Sequence, residues 1–224
     1  MDELVGYHLE QAVGYKAELG QAEPGVAERA GERLARAGRR ALGRGDERAA
    51  TVLLERALEL TRPLRLDVGL EIDLARAHRY SAPKQAAAIA ERAAGRAHAA
   101  RDRAGEALAR AVAGYYRSQQ SPELEFDEVE TLARDALPVL ERAGNHAALV
   151  HVWDVLGWVA NNLCRYEEQA YAAEQALHHA RSPATRLGSC STSTSRSPSD
   201  HGQLTTRCAS STASSPRPAT HACS

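Results

Sequence analysis

Apolar residues recur at intervals of three and four along most of the chain, as in Val5, Leu9, Ala12 and Val13, then Leu53, Leu54, Ala57, Leu58 and Leu60, then Leu132, Ala136, Val139 and Leu140. That spacing lines up one face of a 3.6-residue helix. The strict alternation of a half-buried strand is nearly absent. Helix-breaking marks interrupt the pattern at "EPG" (23–25), "GRGD" (43–46), "RP" (62–63), "SAP" (81–83), "SP" (121–122) and "GN" (144–145). The segments between them hold one or two helices each, about nine in all. The pattern therefore predicts an all-α chain of short amphipathic helices joined by tight turns.

Local chemistry agrees with several of these boundaries. Ser121 followed by Pro122, Glu123 and Glu125 is a favourable helix start, because Pro is tolerated at the first position and acids suit the positive end of the helix dipole. Gly144 followed by Asn145 reads as one helix stopping and the next being capped. Pro138, inside "ALPVLERAG", is expected to kink or split its helix.

Composition narrows the class. With 224 residues and 43% hydrophobic content the chain can bury a core. Much of the apolar content is alanine, which suits close helix packing, and there are one Phe, one Met and two Trp. Lysine occurs only at Lys16 and Lys84, so basic charge is almost all arginine, as in a protein from GC-rich DNA. The net charge of −1 divides into a body slightly acidic to residue 181 and a tail carrying four Arg against one Asp. Neither half has the concentrated basic surface that phosphate binding needs, which argues against nucleic acid as a direct partner. The opening "DELVGYHLEQ" has no basic or apolar leader character, and no stretch approaches the ~18 uncharged apolar residues of a membrane span. The expectation is a cytoplasmic protein without membrane contact. Cys164 is alone in the body, and Cys190, Cys208 and Cys223 lie in the tail, so neither a disulfide framework nor a CxxC metal pair is present.

From Ser182 onward the composition changes: 19 of the last 43 residues are Ser or Thr, and Glu, Lys, Val, Ile, Phe, Tyr and Trp are missing. Such a segment cannot bury enough apolar surface to offset its ordering entropy, so 182–224 is expected to be a disordered tail. It could be a phosphorylated or glycosylated extension. Its mixture of Ser, Thr, Arg, Pro, Cys and Ala also matches GC-rich coding DNA translated out of phase, which accounts better for the abrupt change.

A row of short helices invites a search for internal repeats. "AGRRALGRGDERAATVLLERALEL" (37–60) aligns with "LGWVANNLCRYEEQAYAAEQALHH" (156–179), each a helix end, a short turn and a second helix. These segments resemble tetratricopeptide repeats. Trp153, Leu156, Gly157, Tyr166 and Ala176 fall where that motif of about 34 residues has its Trp, Leu, Gly, second aromatic and late Ala. In the earlier copy Gly38, Gly45, Asp46, Ala50, Leu54 and Ala57 match, while Leu34, Ala41 and, in the later copy, Gln169 depart from the pattern. Residues 64–145 fit the spacing poorly and need units longer than the motif. The resemblance implies a right-handed α-solenoid of antiparallel helix pairs over 25–181, preceded by a leading helix in 1–24.

The wider stretch "DELVGYHLEQAVGYKAELG" with "AERAGERLARAGRRALGRGDERAATVLLERALEL" is similar to the region of large bacterial signalling ATPases where the ATPase core gives way to tetratricopeptide-like repeats. Those proteins often carry a nucleotide cyclase or a DNA-binding domain. No GxxxxGK[ST] phosphate loop is present. The resemblance implies a non-catalytic repeat region, a fragment of a larger signalling protein, that binds a protein or peptide or relays a signal. The alternative is the repeat region of a transcription regulator whose DNA-binding domain lies elsewhere. No catalytic, cofactor or metal site is expected.

Individual motifs mostly have structural readings. "RGD" at 44–46 sits where Gly ends one helix and Asp caps the next. His178 and His179 are adjacent and point about 100° apart on a helix, a poor arrangement for one metal ion, and His146 and His151 lack a third ligand at helical spacing. Cys164 fills a turn. The acidic run 123–130 reads as a solvated first helical turn, and the arginine-rich 91–110 as a charged helical surface with interleaved acids.

The two tryptophans differ. Trp153 shares a packing face with Leu156, Gly157 and Ala160, whereas Trp158 lies about 140° away with Asp154, Asn161 and Asn162. In tetratricopeptide repeats that second side lines the concave groove, which makes Asp154, Trp158, Asn161 and Asn162 candidate ligand contacts. Packing of Trp158 against a neighbouring repeat is the other reading.

Overall fold

Four of the turns between helices share one geometry, and they set the architecture. The computed structural model describes residues 1–120 and 126–182. Gly45 and Gly144 have φ of +76° and +62°. Around Gly45 the Asp46 amide donates to the Ala41 carbonyl at 2.9 Å and the Gly45 amide to Leu42 at 3.0 Å. Around Gly144 the Asn145 amide reaches Leu140 at 3.0 Å and the Gly144 amide reaches Glu141 at 2.9 Å. These paired bonds satisfy the last carbonyls of the outgoing helix. The next residue then caps the incoming helix, with the Asp46 side chain accepting from the Ala49 amide at 3.0 Å and Asn145 from Ala148 at 3.1 Å. The same turn recurs at Arg101–Asp102 and Cys164–Arg165, where Arg101 and Cys164 hold φ of 59° and 57°.

The elements are α1 (Asp2–Glu18), α2 (Pro24–Gly43), α3 (Glu47–Thr61), α4 (Val68–Ala77), α5 (Pro83–Ala99), α6 (Arg103–Ser118), α7 (Phe126–Arg142), α8 (His146–Asn162) and α9 (Tyr166–Ala180). The fold is all-α, with nine helices and no strand among the described residues. None of these helices is long and apolar enough to cross a membrane. The Ser121–Pro122 start and the tail after residue 182 lie outside the described residues.

Consecutive helices run antiparallel. In the α2–α3 pair Gly31 faces Thr61 and Gly38 faces Leu54; in α8–α9 His146 meets His179 and Gly157 faces Ala172. Close approach is enforced at Gly38, where an added methyl would lie 2.7 Å from Leu54 Cγ. At Gly157 it would lie at an ordinary 3.6 Å from the Ala172 methyl, so this glycine does not by itself set the helix spacing. Ala50, Leu54, Ala57, Leu156 and Ala176 are buried. Trp153 is half-buried, meets Tyr171 edge-on at 5.7 Å, and keeps its indole N–H buried without an acceptor among the described residues. Tyr166 is largely exposed at the start of α9.

One local reading is narrowed. Pro138 does not split α7, which continues through it, and the Pro138 carbonyl accepts from Arg142 at 2.9 Å. The repeat length is uneven: α2, α4, α6 and α8 begin at Pro24, Val68, Arg103 and His146. Two of those three steps exceed the motif's length by close to ten residues.

The even-numbered helices touch one another in sequence, α2 to α4 to α6 to α8, and form one row. Two buried carboxylates brace it. Glu71 of α4 is paired with Arg62 beyond α3 and Arg96 of α5. Asp73, also on α4, accepts from Arg39 of α2 at 2.6 Å and lies 3.6 Å from His151 of α8. Burial alone would push the Asp73 carboxyl upward, but the His151 hydrogen bond and the Arg39 charge together hold it below the usual carboxylate range. At the opposite edge α1 fully buries only Gly6 and half-buries Leu9, Ala12 and Val13, and ion pairs add to its attachment, Asp2 with Arg33 and Arg40, and Glu10 with Arg56.

Candidate functional site

Where α4, α6 and α8 converge, the even row encloses an open pocket of about 60 Å³. Helical spacing delivers its walls: Ile72 and Arg76 are four apart on α4, Val112 and Tyr116 four apart on α6, and His151 and Val155 four apart on α8. Tyr115, Asp154 and Arg79 complete the lining. Ile72, Val112, Val155 and Tyr116 are buried and form an apolar floor.

α4 and α8 rise in the same direction, because four antiparallel steps separate them. Asp73 meets His151 near the base, and one turn higher Tyr115 feels the charges of both Arg79 and Asp154. The aromatic wall continues outward: Tyr115 lies 4.9 Å from Tyr116 and meets Trp158 edge-on at 5.0 Å, and Trp158 lies 5.6 Å from Phe126. Burial raises the Tyr116 phenol well above its ordinary value, and the neighbouring Tyr115 adds to the rise. Burial also raises Tyr115, against a hydrogen bond to Gln119. Both phenols are therefore neutral hydrogen-bonding groups at neutral pH.

The charges at the rim are unequal in their attachments. Arg79 is engaged, its guanidinium 4.4 Å over the Tyr80 ring and 3.4 Å from the Glu47 carboxylate. Arg76 and Asp154 have no hydrogen-bond or ion-pair partner among the described residues, although each lines the pocket. Rigid helices thus present one open cation and one open anion beside an aromatic wall.

The four groove candidates separate in this setting. Asp154 lines the pocket. Trp158 is half-buried and packs between Tyr115 of α6 and Phe126 of α7, so it buttresses the wall. Asn162 is exposed and donates from Nδ2 to the Trp158 carbonyl at 2.8 Å. Asn161 is exposed outside the pocket lining. Sequence reading missed Arg76, Tyr115, Tyr116 and His151, which come from segments far apart in the chain.

A second cluster forms at the far end of the last pair. His146 Nδ1 and His179 Nδ1 are 3.0 Å apart, and the His178 ring is 5.2 Å from that of His179. Burial, with His146 and His178 adding to it, lowers the affinity of His179 for a proton. Among the described residues no group of three or more His, Cys, Asp or Glu side chains could hold a metal ion. Cys164 is an exposed free thiol at its turn.

No family model matches the chain, and no curated protein matches it.

Proposed function

We propose that this chain is a tetratricopeptide-like interaction module, non-catalytic, whose even-helix row receives a protein or peptide partner in the bacterial cytoplasm. In that role it serves as a relay region of the kind found in large signalling ATPases linked to nucleotide cyclases. The observation that carries the reading is the convergence of α4, α6 and α8 on an open pocket with Arg76, Tyr115 and Asp154 at its walls. A stacked-helix scaffold fixes these side chains before a partner arrives, which limits the ordering cost of binding.

The reading is tested by selecting peptides from a displayed library on the full chain and measuring them against substituted protein. Tyr115→Ala and Arg76→Gln are expected to weaken selected peptides about tenfold or more. Glu59→Ala, on the exposed side of α3, should leave them unchanged. Peptides lost with Glu59 but indifferent to Tyr115 and Arg76 would place binding on the other row and overturn the proposal.

A further inference from the structure

Asp73 of α4 and His151 of α8 lie 3.6 Å apart. Three residues further along each helix stand Arg76 and Asp154, one turn up and on the same faces. They have opposite charges, yet they do not pair with each other or with any other described side chain. Both line the pocket, Arg76 half-buried and Asp154 exposed, together with the buried Ile72, Val112 and Val155 and with Tyr115.

From this juxtaposition we infer that the pocket is a binding site for a free α-amino acid with a small apolar side chain, its carboxylate on Arg76 and its ammonium on Asp154. A planar guanidinium offers two parallel N–H donors to a carboxylate, and the three N–H donors of an ammonium suit a carboxylate acceptor. A simple anion would gain from Arg76 and be repelled by Asp154. A simple cation would face the reverse, so only a ligand carrying both charges satisfies both walls. The pocket is open and holds only about 60 Å³, so it admits a compact ligand with part of it in solvent, and alanine, whose side chain is a single methyl, suits it. The site is a small-molecule one and stands whether or not a protein also docks on the row.

Isothermal titration of the full 224-residue chain with L-alanine tests this, with N-acetyl-L-alanine and L-alaninamide as ligands that each lack one charge. Saturable binding of L-alanine is expected, with both blocked compounds about tenfold or more weaker. Arg76→Gln and Asp154→Asn should each cause a loss of similar size with far-UV circular dichroism unchanged. Absence of saturable L-alanine binding at tens of millimolar overturns the inference. So does N-acetyl-L-alanine binding as tightly, which would indicate an anion site only, and so does undiminished affinity in either substituted protein. If a substitution unfolds the chain, the comparison of blocked and free ligands on the unaltered protein decides alone. A positive amino-acid titration with no displayed peptide recovered would separate this site from the partner-binding reading.

Discussion

Asp73 holds His151 at 3.6 Å on one carboxylate oxygen and Arg39 at 2.6 Å on the other, so one buried acid fastens α2, α4 and α8 together. Arg39→Ala leaves that acid with only the histidine. Breaking a fully buried pair costs about 3–5 kcal/mol, and because Arg39 still reaches water a loss nearer about 2–3 kcal/mol is expected in urea denaturation. An unchanged midpoint would mean that solvent already screens the carboxylate.

The same acid sets a pH dependence. Its folded-state affinity for protons is held below the ordinary carboxylate range, so its contribution is complete above that range and disappears as the pH falls through the lower folded value. Denaturation midpoints between pH 7 and pH 3 should therefore fall on acidification, with a shallower fall in Asp73→Asn. Equal slopes in the two proteins would assign the acid sensitivity to other groups.

Gly38 and Gly157 should behave oppositely on substitution by alanine. At Gly38 the methyl meets Leu54 at 2.7 Å, and forcing α2 from α3 is expected to cost about 1–3 kcal/mol. At Gly157 the methyl fits at contact distance, and helix propensity should give a gain of up to about 1 kcal/mol. Thermal melts of the two proteins in parallel provide the check.

Arg101 and Cys164 occupy left-handed positions that glycine holds at the equivalent places in two other turns. Relief of that backbone cost, less the entropy glycine adds to the unfolded chain, should make Arg101→Gly and Cys164→Gly each more stable by about 0.5–1 kcal/mol. A loss in both would show that these side chains make contacts outweighing their conformational cost.

Trp158 bridges Tyr115 and Phe126, so Trp158→Ala should destabilise by about 2–3 kcal/mol, below the range for a fully buried aromatic because the ring is only half-buried. Trp158→Phe should recover much of this. Chemical denaturation with fluorescence from Trp153 reports both, and an Ala variant of native stability would return Trp158 to the list of ligand contacts.

Helices and turns were legible because their causes are local: three- and four-residue apolar spacing, Asp46 and Asn145 as caps, Gly45 and Gly144 as stops. The opposite faces of Trp153 and Trp158 followed from helical arithmetic for the same reason. The pocket was not legible, since Arg76, Tyr115 and Asp154 are brought together by the register of three helices, α4, α6 and α8, that are far apart in the chain. Nor does any local signal separate buried Glu71, braced by two arginines, from an exposed acid such as Glu91. Pro138 lies within α7 without ending it, and the burial of Ala136 and Leu140 on either side holds the helix in place.

The attachment of α1 has a consequence for how the molecule responds to its medium. A helix that fully buries only Gly6, half-buries Leu9, Ala12 and Val13, and is pinned by Asp2, Glu10, Arg33, Arg40 and Arg56 depends in part on attractions that dissolved ions weaken. The even row, fastened by apolar contact and enclosed charge, depends on them far less. Ionic strength is therefore expected to act first on this helix, weakening its hold on α2 and α3 before it affects the α4–α6–α8 face.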